Sequence, residues 1–174
     1  MARKSHGSHR KGATTLPVAE AHRFAPENRR RLSGPGLRAF LAIAERWGLG
    51  AAERLEILGR PARSTYYGWR AKARRRESLT LPVAVLLRIS AVLAIHRALC
   101  RLFGAAEAAA WLREPHDAPV FGGRPPLALI TGGTQESPLI VLRYLNALCQ
   151  SVCPAPAPAE LDFPLYGDDD IVIL

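Results

Sequence analysis

The feature that most constrains this chain is the run LTLPVAVLLRISAVLAI, from Leu79 to Ile95, which is apolar on nearly every side of a helix. A helix with no polar face has to be surrounded, either by lipid or by protein neighbours. Arg88 stands near the middle of the run, and His96, Arg97 and Arg101 follow it closely. A central arginine costs roughly 2.5–3.5 kcal/mol on insertion scales, and the run falls short of the ~20 residues needed to span a bilayer. The sequence therefore predicts a buried helix or kinked pair over about Leu81–Phe103, packed against several neighbours or a second copy of the chain. Leu86, Ile89, Leu93, His96, Leu99 and Phe103 mark its expected stripe, with His96 as a packing residue.

Other helices are legible around this spine. From Gly36 on, Leu37, Phe40, Leu41, Ala44 and Trp47 follow the i, i+3, i+4 rhythm of one apolar face, with Ser33-Gly34-Pro35 as the start signal and Gly48 as the stop. A short helix, Ala51 to Leu58, ends at Gly59. After Arg60-Pro61-Ala62-Arg63, Ser64 is placed to cap a third helix over Thr65 to about Arg75. Beyond the spine, Gly104 is a break, and Ala105–Arg113 carries Trp111 and Leu112. A loop rich in glycine and proline wraps a short helix Pro126–Ile130. A last helix, about Ser137–Gln150, shows Leu139, Leu142, Leu145 and Leu148 on one side. The fold class expected is all-α: an N-terminal helix-turn-helix bundle (35–80), a small helical domain (81–150), a disordered basic arm (1–34) and a Pro/Ala linker with an acidic, apolar tail (151–174).

Helix, short helix ending in glycine, tight turn and a third helix is the layout of a helix-turn-helix. The third helix mixes Tyr66, Tyr67 and Trp69 with Arg70, Lys72, Arg74, Arg75 and Arg76. Tyr66 and Trp69 lie three apart, so at least one of them packs inward. Ser64, Thr65, Tyr67, Arg70, Lys72, Arg74 and Arg75 are the residues expected to meet DNA, through base edges and phosphates.

The charge distribution agrees. The formal net charge is +9, but residues 1–76 hold 18 Lys/Arg against five Asp/Glu, whereas residues 154–174 hold five acids and no base. A basic front half suits a polyanionic partner. Three sparse cysteines, Cys100, Cys149 and Cys153, do not make a disulfide framework, and no His lies near the Cys149/Cys153 pair to complete a metal site. The basic N-terminus has no apolar core behind it, so no signal peptide is expected and the reading is cytoplasmic. No Gly-rich nucleotide loop, nucleophile–base pair or ligand cluster is visible. The expectation is therefore a protein that is not an enzyme and carries no cofactor.

From Ile89 to Leu148, the words AIHRALCRLFG, AAAWLREPHDAPVFGGRPPLALITGG and VLRYLNAL resemble the toxin-binding domain of Xre/MbcA/ParS-type antitoxins, partners of RES-domain toxins. The most specific stretch is Trp111-Leu112, then Pro115, then Phe121-Gly122-Gly123-Arg124 with Pro126-Leu127. The upstream segment with Tyr67, Trp69 and Arg70 resembles the Xre-like helix-turn-helix that precedes that domain. The resemblance covers roughly residues 36–150. It implies an antitoxin that binds and silences a RES-type, NAD-degrading toxin and represses its own operon by binding operator DNA, as a homodimer or a toxin–antitoxin hetero-oligomer. The toxin-binding residues it implies are Trp111, Phe121, Gly122, Gly123, Arg124, Arg143 and Tyr144. The chain departs from the family pattern at Pro115-His116 and Asn146, and it lacks a closing Gly-Gly-Trp.

Beside the resemblance, the residues themselves offer a reason for the motif. Paired glycines permit a tight turn, and Arg124 presents a planar charged fork. The tail adds Tyr166 and Leu174 as candidate toxin contacts, because a spacer followed by Phe163, Leu165, Tyr166, Asp168, Asp169, Asp170 and the Leu174 carboxylate has the chemistry to plug a basic pocket. Two alternatives stay open from sequence: a stand-alone helix-turn-helix regulator whose C-terminal domain only oligomerises, and a structural or polar-localisation protein.

Overall fold

A computed structural model of the chain describes residues 24–152, among which there are six helices and no strand. They are α1 (Pro26–Arg46), α2 (Ala51–Ile57), α3 (Arg63–Arg74), α4 (Val83–Arg113), α5 (Pro126–Ile130) and α6 (Ser137–Val152). The expected all-α architecture is what the chain adopts.

The apolar spine is α4. It packs against α1 on one side and α6 on another, and also touches α5. By length and composition it would suit a membrane, yet Val85, Ile89, Val92, Ile95 and Leu99 are buried among protein neighbours. Gly104 interrupts it with φ 82° and ψ 168°, a conformation that side chains with a Cβ rarely adopt. This separates the long arm from the segment carrying Trp111. The fully buried row differs from the expected stripe: Leu86, Leu93 and Phe103 are only partly buried, because an all-round apolar helix leaves the choice of inner face to its neighbours.

One contiguous set of buried residues runs from Leu37 and Phe40 through Tyr66, Leu81, Ile95 and Leu112 to Phe121, Leu145 and Cys149. The helix-turn-helix and the C-terminal unit therefore share a core.

Helix α1 starts at Pro26 rather than near Gly36. Residues 26–34, expected in a disordered arm, form its first turns. Pro26 occupies the first helical turn, where its missing N–H is harmless, while Pro35 lies inside the helix. Ser33, read as part of a start signal, is fully buried instead. Its hydroxyl donates to the Arg29 carbonyl (2.6 Å) and accepts the Leu81 N–H (2.8 Å). That long-range bond anchors the turns upstream of Pro35, and Gly36 of α1 faces Ile89 of α4.

The third helix also starts earlier than expected. Its N-cap is Ala62, with no side-chain cap, and Ser64 sits exposed in the first turn. The reason lies in the preceding turn. Gly59 (φ 87°) and Arg60 (φ 58°) are both left-handed, and the Arg60 N–H bonds back to the Leu55 carbonyl at 2.8 Å. The break is complete by Pro61.

In α6 the buried row is Pro138, Val141, Leu145 and Cys149. Leu139, expected inside, is 38% exposed. Apolar residues surround this helix too, so packing on α4 rather than the leucine spacing selects the face.

Candidate functional site

On α3, Tyr66 is 1% exposed and Trp69 is half-buried against the core, so both ring systems anchor the helix from inside. Ser64, Thr65, Tyr67, Lys72, Arg74 and Arg75 are exposed, and Arg70 is partly so. The seven residues expected to meet DNA thus all retain surface, six on α3 and Arg75 at its C-cap, beside Glu77 at 3.6 Å. Arg38 of α1 reaches the Ala73 carbonyl at 3.5 Å, across the packed side of α3.

One residue of this surface escaped the sequence reading. Gly68 stands between Tyr67 and Trp69 on α3, and a Cβ placed there would meet nothing within 4 Å. The fold gives no reason for a glycine, which costs roughly 0.5–1 kcal/mol against alanine in a helix interior. Its signal in the sequence was its own presence inside an otherwise uninterrupted helix.

The turns of the helix-turn-helix are pinned from α4. At the α1–α2 turn, Arg113 Nη2 donates to the carbonyls of Trp47 (3.1 Å) and Gly48 (2.9 Å). Its Nη1 faces Glu53 Oε1 at 3.6 Å, while Glu53 Oε2 accepts the Gly50 N–H at 2.7 Å and so caps α2. Near the α2–α3 turn, Arg88 lies against Gly59 and donates to Ile57 O (3.5 Å), Thr134 O (3.3 Å) and Gly133 O (3.0 Å). The arginine that argued against a membrane span is a strut between the turn and the α5–α6 loop.

The second face is built on Trp111. Its ring stacks near Phe103 (5.6 Å, 21°), lies 4.6 Å from the His116 ring, meets Phe121 edge-on (5.9 Å, 82°) and stacks near Tyr144 (6.4 Å, 21°). Phe121 also meets Tyr144 edge-on at 4.9 Å. Edge-to-face and offset pairs of this kind are favourable because a ring's positive rim meets its neighbour's negative face. His116 Nε2 donates to the Trp111 carbonyl (2.8 Å), and the His116 carbonyl accepts the Gly123 N–H (3.2 Å). The Pro115-His116 pair is therefore structurally used. His116 closes the loop around the tryptophan.

Phe121, expected from the resemblance to touch the toxin, is 1% exposed. It shapes this face from beneath, since an apolar ring following the loop is worth most inside the aromatic cluster. Directly after it, Gly122 (φ 56°) and Gly123 (φ 73°) turn the chain, and a Cβ on either would find open space. Their conformation, not crowding, calls for glycine. Arg124 is exposed, as is Arg143, while Tyr144 and Trp111 are half-buried. Val120 and Ile140 add apolar surface that the sequence reading did not assign, as does Leu139, which it placed on the inner side of the last helix. Ile140 and Tyr144 are one turn apart on α6, as are Leu139 and Arg143. Tyr166 and Leu174 lie outside the described residues.

His96 is held below its ordinary pKa by burial first and by the Arg46 charge second. Its ring lies 6.0 Å from Trp47 and within 3.8 Å of Cys100 Sγ. Among the described residues no cluster of three His, Cys, Asp or Glu side chains could hold a metal ion.

A helix-turn-helix with an exposed basic third helix, joined through one core to a helical unit with an aromatic-backed face, has the layout of a DNA-binding module fused to a second helical unit. Comparison with known families gives that layout its identity. The antitoxin Xre-like helix-turn-helix domain matches residues 26–94, and the antitoxin Xre/MbcA/ParS C-terminal toxin-binding domain matches residues 98–149. A relative from Sinorhizobium fredii (strain NBRC 101917 / NGR234), the uncharacterized protein y4oB, is 37% identical over 112 residues, covering 64% of this chain and 81% of the relative. The chain belongs to the Xre/MbcA/ParS antitoxin family. The two matched regions meet inside α4, so this helix serves both.

Proposed function

We propose that this protein is the antitoxin of a type II toxin–antitoxin pair whose toxin is a RES-type, NAD-degrading enzyme, and that it represses its own operon. The observation that carries this reading is the pairing of an antitoxin helix-turn-helix with an antitoxin toxin-binding domain on one shared core. The protein acts by binding, in the cytoplasm, and any NAD chemistry belongs to its partner. The toxin meets the face around Trp111, Gly122, Gly123, Arg124, Arg143 and Tyr144, with Phe121 holding that face in shape. Operator DNA meets Ser64, Thr65, Tyr67, Arg70, Lys72, Arg74 and Arg75, with the protein acting as a homodimer or within a hetero-oligomer. Tyr166 and Leu174 of the tail reach into the toxin.

The test is co-expression with the product of the neighbouring reading frame, which this reading expects to be the RES-type toxin. Cellular NAD collapses with the toxin alone and is preserved with both, and the toxin co-purifies. Continued NAD loss in the presence of well-folded antitoxin overturns the toxin assignment. Repression is read separately, from binding to the DNA upstream of the gene against a scrambled duplex. Truncation after Pro158 tests the tail, which contributes nothing if that protein still inhibits fully.

A further inference from the structure

Between the N-terminal half of α1 and the N-terminal half of α4 runs an apolar groove of about 370 Å³, lined among others by Phe24, Leu32, Pro35, Leu86 and Leu93. No lining residue carries a charge. The DNA-facing helix and the Trp111 face contribute nothing to it. We propose that this groove is the seat of the chain's own segment Thr15–Ala21, with Leu16 and Val18 as the inserted side chains.

Three observations favour this occupant. The first is where the chain enters: Phe24, which closes the segment ahead of α1, itself lines the groove. Leu16 lies eight residues before it, a reach of up to ~26–29 Å. The groove floor from Leu86 to Leu93 spans only ~10 Å of helix at 1.5 Å per residue. The tether keeps the segment at an effective concentration in the millimolar range.

The second is composition. Leu16 and Val18 are the aliphatic pair in an otherwise basic and polar arm, and Pro17 between them favours an extended backbone. An extended backbone can present Leu16 and Val18 to one side of an apolar slot.

The third is charge. Glu20 follows the aliphatic pair, and the exposed Arg30 and Arg31 adjoin Leu32 at the groove. A second copy docked there would bring like arginine pairs together, which is unfavourable. The C-terminal tail starts farther off, because α6 ends at Val152 beside Arg101 and Leu102, at the other end of the long arm of α4, so its longer tether gives it the lower effective concentration. From Leu102 to Leu93 alone is ~14 Å of helix.

Hydrogen exchange on the full chain tests the proposal, with mass measured by light scattering over a range of concentrations. In the native protein, the amides of Leu16, Val18, Ala19 and Glu20 are protected. In the double variant Leu16→Asp/Val18→Asp that protection is lost, and residues 86–93 exchange about tenfold faster, while the mass and the protection of α6 stay unchanged. Unchanged exchange at 86–93 in the variant overturns it. So does protection of 86–93 that rises with concentration as the mass doubles, which assigns the groove to a second copy. Loss of that protection on removing residues 159–174 instead assigns it to the tail and equally overturns the proposal.

Discussion

Replacing Arg88 by methionine removes the strut between the α2–α3 turn and the α5–α6 loop while keeping an unbranched stem against Gly59. The guanidinium donates one bond of ordinary length, to Gly133 O at 3.0 Å, and two long ones, to Thr134 O at 3.3 Å and Ile57 O at 3.5 Å. Hydrogen bonds to charged groups contribute ~1.5–3 kcal/mol, but only the first has full geometry. Arg88 is half-buried, and water can reach the freed carbonyls, which lowers the net loss. The expected cost is ~1–2 kcal/mol, equivalent to a Tm lower by about 2–8 °C for a chain of this size. Calorimetry reads the Tm, and hydrogen exchange reads faster opening at residues 58–66, where the strut acts. An unchanged Tm with unchanged exchange at that turn refutes the strut. A loss above ~4 kcal/mol refutes it too, because it signals a disrupted core instead.

Gly68→Ala separates stability from binding: it should raise stability by about 0.5–1 kcal/mol yet weaken binding to the upstream DNA, measured by anisotropy. Gln in place of Lys72 or Arg74 should reduce the slope of log affinity against log salt by about 0.9 for each phosphate no longer neutralised, with the Tm unaltered. Phe121→Ala should cost ~3–5 kcal/mol in denaturant titrations, whereas Ile140→Asp should leave stability within ~0.5 kcal/mol and abolish toxin capture in pull-downs. For His96, the folded pKa lies below the ordinary 6.5, so the folded state binds fewer protons than the unfolded chain. Stability is therefore full above about pH 6.5, starts to fall below it and levels off beneath the folded pKa. His96→Gln should flatten the Tm profile between roughly pH 7.5 and 5.5 relative to the native protein.

How much was legible depended on whether a signal was local. Gly48, Gly59 and Gly104 announced their breaks because a positive φ at each favours glycine. That at least one of Tyr66 and Trp69 turns inward followed from their three-residue spacing; Tyr66 is buried and Trp69 half-buried. The start of α1 was misleading because Ser33-Gly34-Pro35 is a sound start signal in isolation. Only the bond from Leu81 N–H to Ser33, 48 residues apart in sequence, explains its burial. Phe121 read as a contact residue because its burial depends on Trp111 and Tyr144 arriving from elsewhere.

By itself the sequence determined an all-α chain with a helix-turn-helix ahead of a helical domain, and it carried the ordered words of an antitoxin. These rest on helical periodicity, glycine stops and motif order, all written within short stretches of chain. Tertiary structure decided which faces of α4 and α6 are buried, since both are apolar nearly all round and only their neighbours can choose. It also made Arg88 and Arg113 the struts of the helix-turn-helix, because their carbonyl partners lie dozens of residues away, where no local pattern can point.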